Sequence, residues 1–452
     1  MNNKQPGGGA KHSRLLVTGI LLGICAIEPL RAGESAYGLG YSAEHSDNIA
    51  LVSTNEQSGW IHSLLAGFAY QESTTDVVAR VLAQATYNNY PKDTFGDETL
   101  FDLNSFAVWT ISPQRFFWTV QDDYQQGLLD STNPDTPANR TNLNVFSTGP
   151  DVYVRLAPVH TLTFGARVGD VYTGDANNDN KRFNGLAGWL YQSSPTTTLS
   201  LNYQVLDVKF EDSTFNNDFT SQDYFFRAQF RPSRSRYILD LGTNHINLDR
   251  GNDLRGTLAR LSWIRESTPQ TSFGASVRKE FSNTASDVLA ATPTTGPASG
   301  EPAAPSGISR TVISGDVYET KGGTIFYTHS GSEVGVQFLA GRRKLDYETT
   351  PQDRKETNGH LQIDYFFPSA TTTATLFTDY IRTEYLDVIR RDTERNTGIR
   401  LDHHLSRTVS LGLEGRHHDR TSTDSSSNYV DNRVLFTLLY SSGPLFTPLR
   451  RR

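Results

Sequence analysis

The stretch Val409-Ser410-Leu411-Gly412-Leu413-Glu414-Gly415-Arg416 decides the fold class. Val409, Leu411, Leu413 and Gly415 form one face; Ser410, Gly412, Glu414 and Arg416 form the other. Strict period-two alternation marks a β-strand whose two faces meet different surroundings. Working outward, the same pattern returns. Leu162, Phe164, Ala166 and Val168 alternate with Thr163, Gly165 and Arg167. Phe273, Ala275 and Val277 alternate with Gly274, Ser276 and Arg278, and Val77, Ala79, Val81, Ala83 and Ala85 enclose Arg80, Gln84 and Thr86. Alternation alone does not say which face is wet.

The connections decide that. Short, often proline-bearing turns such as Ser112-Pro113-Gln114, Ala157-Pro158-Val159, Arg231-Pro232-Ser233 and Phe367-Pro368-Ser369 alternate with longer Asn/Asp/Thr/Gly-rich stretches such as 128–142, 174–181, 211–220 and 421–428. Alternating short turns and long loops belong to barrels of the bacterial outer membrane. The pattern predicts an all-β chain forming a single closed antiparallel transmembrane β-barrel of about 20 strands, within a range of about 18 to 22. The strands start with 36–45, include 311–328 across Lys321-Gly322-Gly323, and end with 428–440. An even number puts both termini in the periplasm.

Composition agrees. A 36% hydrophobic content and mean hydropathy of −0.48 suit a chain whose every second strand residue faces a wet interior. No window after the N-terminal segment could form a membrane helix. Aromatics reach 11%, with 20 Tyr and 24 Phe beside 36 Gly. Trp60, Tyr70, Tyr90, Trp109, Trp118, Tyr124, Tyr172, Trp189, Tyr203, Trp263 and Tyr365 fall near predicted strand ends, as membrane-interface girdles do.

Residues 1–32 read as a signal peptide. Lys4, Lys11, His12 and Arg14 precede an apolar run from Leu15 to Ile27, and Ala32 offers a cleavage site before Gly33. Ile24 is too large for lipid attachment at Cys25. Cleavage would remove the only cysteine, which excludes thiolate chemistry and disulfides from the mature chain. It would also take the formal charge from −7 to −10, because four Lys/Arg and one Glu leave. So acidic a chain is a poor general nucleic-acid binder. The predicted barrel fills 33–452, with 284–310, rich in Pro, Ala and Thr, as a flexible external loop; inward folding as a constriction is the alternative.

Catalytic or metal chemistry is not evident. His403, His404, His417 and His418 share a predicted hairpin, but His404 should pair near Ser410, leaving it roughly 25–30 Å from His418 along the strands. His329-Ser330 are adjacent and point to opposite faces. The expectation is a non-enzyme without cofactor or metal.

The inward positions are more informative. Alternation puts Arg80, Arg155, Arg167, Arg227, Arg260, Arg278, Arg343, Arg400 and Arg416 in the lumen, with Asp123, Asp240, Glu280, Asp364, Asp402 and Glu414. These charges either pair and rigidify a wide barrel, or leave an arginine surplus suited to sugar hydroxyls and carboxylates. Arg400 should reach Glu414, whereas Arg167 and Arg278 have no acid directly opposite in sequence register.

Two segments carry a resemblance. "YSAEHSDNIAL" (Tyr41 to Leu51) resembles the opening of outer-membrane barrels encoded in exopolysaccharide clusters, including those with exosortase (PEP-CTERM) sorting systems. The closing hairpin "LGLEGRHHDRTSTDSSSNYVDNRVLFTLLY" (Leu411 to Tyr440) is similar to that family's end, with Arg420, Ser422, Tyr429 and Asn432 at its motif positions. This chain departs by running past Tyr440 to a basic Arg450-Arg451-Arg452 tail. The resemblance implies a role in export, docking or surface retention of an exopolysaccharide and no defined catalytic residue. A diffusion porin is the alternative, and a barrel enzyme a second. The expected partners are outer-membrane lipids and lipopolysaccharide, the barrel assembly machinery, and an exopolysaccharide with its export proteins.

Overall fold

The computed structural model describes residues 33–174, 176–214, 216–291, 311–368, 371–444 and 446. The predicted signal peptide, the segment 292–310 and the arginine tail lie outside the described residues.

Twenty strands form the wall. The first five are β1 Glu34–Ser46, β2 Gly59–Ser73, β3 Val77–Asn89, β4 Glu98–Ser112 and β5 Phe116–Leu128. Next come β6 Arg140–Ala157, β7 His160–Thr173, β8 Asn180–Ser194, β9 Thr197–Phe210 and β10 Phe219–Phe230. Then follow β11 Ser235–Leu248, β12 Leu254–Thr268, β13 Thr271–Ser282, β14 Tyr318–Ser330 and β15 Val334–Tyr347. The last are β16 Arg354–Phe366, β17 Thr372–Tyr385, β18 Arg390–His404, β19 Val409–Ser422 and β20 Tyr429–Ser441.

Each strand pairs antiparallel with the next, and β20 returns to β1 from Gly38↔Ser441 to Ser46↔Arg433. Closure leaves no unpaired strand edge, which a lipid environment requires. Nine connections of at most five residues lie at one end with the described chain ends; the ten other connections, most of them longer and one running from 283 to 317, lie at the opposite end.

Alternation settles the faces. Leu64, Val168, Leu201, Leu241, Val277, Ile325, Leu376, Ile399 and Leu413 are exposed on the outside. So much exposed aliphatic surface would drive a water-soluble protein to aggregate, and it is what a barrel turns to lipid. At the short-turn end an outward aromatic belt borders it. Trp109 stands opposite Trp118, Tyr37 packs on Tyr440 with centroids 6.0 Å apart, and Tyr237 stacks on Trp263.

Inside the long-loop half, chain crosses the lumen. The expected external loop departs from expectation at its first eight residues: Thr284–Ala291 form a helix, α1. Asn283 caps it, its side-chain oxygen accepting from the Ser286 N–H at 3.1 Å. Ala285 and Val288 are buried against Leu143, Val145, Val171 and Ile313. The wall residues Leu143 and Val145 of β6 and Val171 of β7 are inward by register, since Val145 faces both Asp123 and Val171. The apolar face of Ala285, Val288 and Leu289 thus finds an apolar stretch of inner wall, which outweighs solvation as a loop.

The predicted strand 311–328 begins instead at Tyr318. Thr311-Val312-Ile313 does extend, but it pairs in parallel with Leu128 at the end of β5, inside the wall. Val317 then packs against Val208, Phe210, Phe219 and Ile246.

At the termini, Phe446 folds back into the lumen onto Ala36 and Ala69. Its ring lies over Gly38 and Gly67, which face each other across β1 and β2, and a Cβ on either would collide with it.

Candidate functional site: a constricted, charge-paired lumen

The register puts all eleven sequence-predicted lining residues on the inner face: Arg80, Arg155, Arg167, Arg227, Arg260, Arg278, Arg343, Arg400, Arg416, Asp402 and Glu414. Seven of the arginines meet a carboxylate. Arg227 grips Asp240 with two bonds of 2.7 Å, and Asp240 has no solvent exposure. Arg260 reaches the same Asp240 at 3.5 Å and donates to Glu280 at 2.7 Å. Arg343 and Arg354 each contact one oxygen of Glu356 at 2.7 Å. Arg400 pairs with Asp402 at 2.7 Å and lies 3.9 Å from Glu414. Arg416 continues that chain to Glu44 on β1 at 2.9 Å, and Arg433 closes it on Glu44 at 2.6 Å.

No acid stands directly opposite Arg167 or Arg278, as expected, yet each finds one out of register. Arg167 contacts Asp151 at 2.5 Å, diagonally across β6 and β7. Arg278 is met by Asp287 at 3.3 Å, from α1 rather than from a strand. Arg80 and Arg155 stand apart near the short-turn end. Arg155 donates to the Pro158 carbonyl at 3.0 Å, and among the described residues no carboxylate pairs with exposed Arg80.

The α1 helix is held from both sides of the lumen. Asp287 accepts from Ser282 at 2.7 Å and Tyr318 at 2.8 Å on the β13–β14 side. Arg182 on β8 donates to Ser286 at 3.2 Å, and Gln121 on β5 donates to the Leu289 carbonyl at 3.0 Å. Strands β5 and β14 are nine apart in a ring of twenty, so these anchors come from nearly opposite walls. A cavity of about 340 Å³ remains beside α1, lined among others by Asp223, Arg260, Arg278, Glu280, Ser286 and Asp287.

A second crossing comes from the 129–139 connection. Tyr385 donates to the Ser131 carbonyl at 2.6 Å, while Arg390 and Arg420 donate to the Thr132 carbonyl at 2.6 and 2.8 Å. These anchors lie on β17, β18 and β19, far around the ring from β5. Sequence reasoning left Arg182, Arg354, Arg390 and Arg433 out of the lining and gave Arg420 only as a motif position. Their inward parity was available, but the contacts of Arg390 and Arg420 to a loop carbonyl and of Arg182 to α1 leave no periodic trace.

Among the described residues, no group of three or more His, Asp, Glu or Cys is gathered to hold a metal ion. His404 faces Ser410, and His418 faces Asn396.

Residues 355–440 match a family model described as "Putative beta-barrel porin 2". No curated protein matches the chain. Among solved structures, the chain is similar to the FrpB iron transporter of Neisseria meningitidis, at 8% identity and a TM-score of 0.48 over 90% of this chain and 82% of that one. It is also similar to OccK2 (OpdF) of Pseudomonas aeruginosa, at 8% identity and a TM-score of 0.37 over 91% and 98%. The protein is a porin-like β-barrel of a form that fits the outer membrane.

Proposed function

We propose that the protein is an outer-membrane channel for small polar solutes, restricted by its own inward-folded segments. The observation that carries this is α1, anchored at Asp287, Ser286 and Leu289 from nearly opposite walls. The cavity beside it is lined by donors and acceptors, among them Arg260, Arg278, Glu280 and Asp287, whose charges are largely paired. Such a lining suits hydroxyl-rich or zwitterionic solutes and gives weak preference between simple anions and cations. The test is single-channel conductance of the purified barrel in planar bilayers, beside a variant lacking 284–291. The expected result is a small wild-type conductance with little ion selectivity, raised several-fold by the deletion. Equal conductance in the two proteins would overturn this function.

A second reading is exopolysaccharide docking or surface retention, favoured by the resemblance of Tyr41–Leu51 and Leu411–Tyr440 to barrels of exopolysaccharide clusters. With Arg167 and Arg278 each paired to an acid, the lumen wall offers such a polymer fewer open arginines. Loss of polymer from cells lacking the barrel, restored by the 284–291 deletion variant, would favour retention over passage.

A further inference from the structure

The outer wall carries a charged feature that the lumen does not use. Near the long-loop ends of β13 to β16, Lys279 stands directly opposite Lys321, Lys321 opposite Lys344, and Lys344 opposite Lys355. All four share the outward parity of Val277, Ile325, Phe338 and Ile363. The row continues through Glu384 to Arg391. One step toward the midplane, Arg342 and Arg382 flank Thr357. Like charges directly opposed on adjacent strands destabilise a sheet, and here three such pairs follow one another.

Nearby acids offset only part of this. Glu319 and Asp346, one step nearer the loops, are shared among three lysines: Glu319 lies 2.5 Å from Lys321 and 3.4 Å from Lys279, and Asp346 lies 2.6 Å from Lys344 and 3.7 Å from Lys321. Glu384 meets Arg382 at 2.8 Å and Arg391 at 3.3 Å. The lysines stay substantially open, with side-chain exposures of 41% for Lys279, 42% for Lys321 and 38% for Lys344. Lys181 also stands opposite Lys209 at the long-loop ends of β8 and β9, but Asp170 faces Lys181 and Lys209 is met by Asp249 and Asp218 at 3.4 and 3.6 Å, so among the described residues a run of three successive lysine pairs occurs in the β13–β16 sector alone. Toward the short-turn end, Val277 lies two residues from Lys279 and Ile325 four residues from Lys321, both more than half exposed. These steps span about 7 and about 14 Å along a strand, which puts the ammonium groups where acyl chains give way to headgroups.

We propose that this lysine row is a docking site for a lipid whose headgroup carries two or more phosphates, in the leaflet at the long-loop end. Lysine binds phosphate as a point charge, and a phosphate seated between paired lysines converts their repulsion into attraction. The acyl chains of the same lipid would lie on the aliphatic surface directly below, which a soluble anion could not use. The lipid is therefore the occupant that both halves of the surface fit.

The test uses the full-length barrel in neutral detergent, with a diphosphorylated glycolipid (lipid A), its dephosphorylated form and inorganic pyrophosphate as probes. Melting temperature and native mass spectrometry report binding. The phosphorylated lipid should raise the wild-type melting temperature by several degrees and remain bound in the mass spectrum. Lys321→Gln with Lys355→Gln should lose at least tenfold in affinity, and the Lys→Arg pair at the same positions should keep it. Equal binding by the Gln variant, no preference for the phosphorylated lipid, or equal stabilisation by pyrophosphate would each overturn the proposal. If the Gln variant does not refold, the wild-type comparison of the three probes still decides.

Discussion

Asp240 has no solvent exposure and is held by Arg227 and Arg260, whereas Arg80 is exposed near the short-turn end and meets no described carboxylate. Two inward arginines of the same barrel therefore have different consequences. Removing one partner of a buried ion pair strands the other charge, at a cost of about 3 kcal/mol or more. Arg227→Ala should lower the midpoint of urea unfolding markedly, softened only by the remaining contact from Arg260. Arg80→Ala should change stability by no more than about 0.5 kcal/mol and shift only the weak ion selectivity of the channel. Comparable destabilisation by the two substitutions would mean that the Arg227–Asp240 pair is hydrated and adds little. The facing of these residues was legible in the sequence because parity needs no knowledge of partners. Their pairing was not. Arg167 finds Asp151 by a diagonal step across a hairpin whose register shifts near Arg155 and Ala157, so direct opposition was the wrong criterion.

At the scale of elements, the wall and its filling were legible to different degrees. Each strand repeats every two residues, and β19 shows the result. Leu413 is 54% exposed outside, while a Cβ on Gly412 would meet Asp402 inside at 3.0 Å. Leu413→Arg should therefore cost about 2–4 kcal/mol in refolding into bilayers, whereas Gly412→Arg should place its guanidinium beside Asp402 and narrow the lumen. A larger loss of refolding yield from Gly412→Arg would reverse the facing of that strand. By contrast, α1 is a two-turn helix inside a segment whose prolines and threonines read as a loop. Its apolar face is three residues, too short for a periodic signal, and its anchors lie far away in sequence. The start of β14 was misplaced for a related reason. Val312 and Ile313 have strand character and do form an extended bridge, but to Leu128 inside the barrel. Val288 tests whether α1 is an independent element. Val288→Asp buries a carboxylate against Leu143, Val145 and Val171, at a cost of several kcal/mol to the docked helix. Conductance should rise toward that of the 284–291 deletion while the melting temperature of the wall stays nearly unchanged. A fall in barrel stability without any change in conductance would show that α1 braces the wall rather than narrowing the passage.

For the whole molecule, the remaining asymmetry is between its two ends. The short-turn end carries both described chain ends, the outward aromatic belt and Phe446 folded over Gly38 and Gly67. The long-loop end carries the crossings of 129–139 and 284–291 and, on the outside, the row from Lys279 to Lys355. Barrel proteins of the outer membrane keep short turns in the periplasm and long loops outside. In that orientation the segments that narrow the lumen guard its extracellular mouth, and the lysines meet the outer leaflet. Single cysteines at Ser425 and Arg115 separate the two ends, since Ser425 lies in the β19–β20 loop and Arg115 in the β4–β5 turn. Both positions are exposed. The one natural cysteine, Cys25, lies in the predicted signal peptide and would be absent from the mature barrel. An impermeant maleimide applied to intact cells should label Ser425→Cys and spare Arg115→Cys, with both labelled after the outer membrane is permeabilised. Labelling of Arg115→Cys alone in intact cells would invert the barrel, turning the constriction and the lysine row to the periplasmic side. Sparing of both in intact cells, with labelling after permeabilisation, would mean that the β19–β20 loop is shielded by surface carbohydrate, which release of that carbohydrate before labelling would reverse.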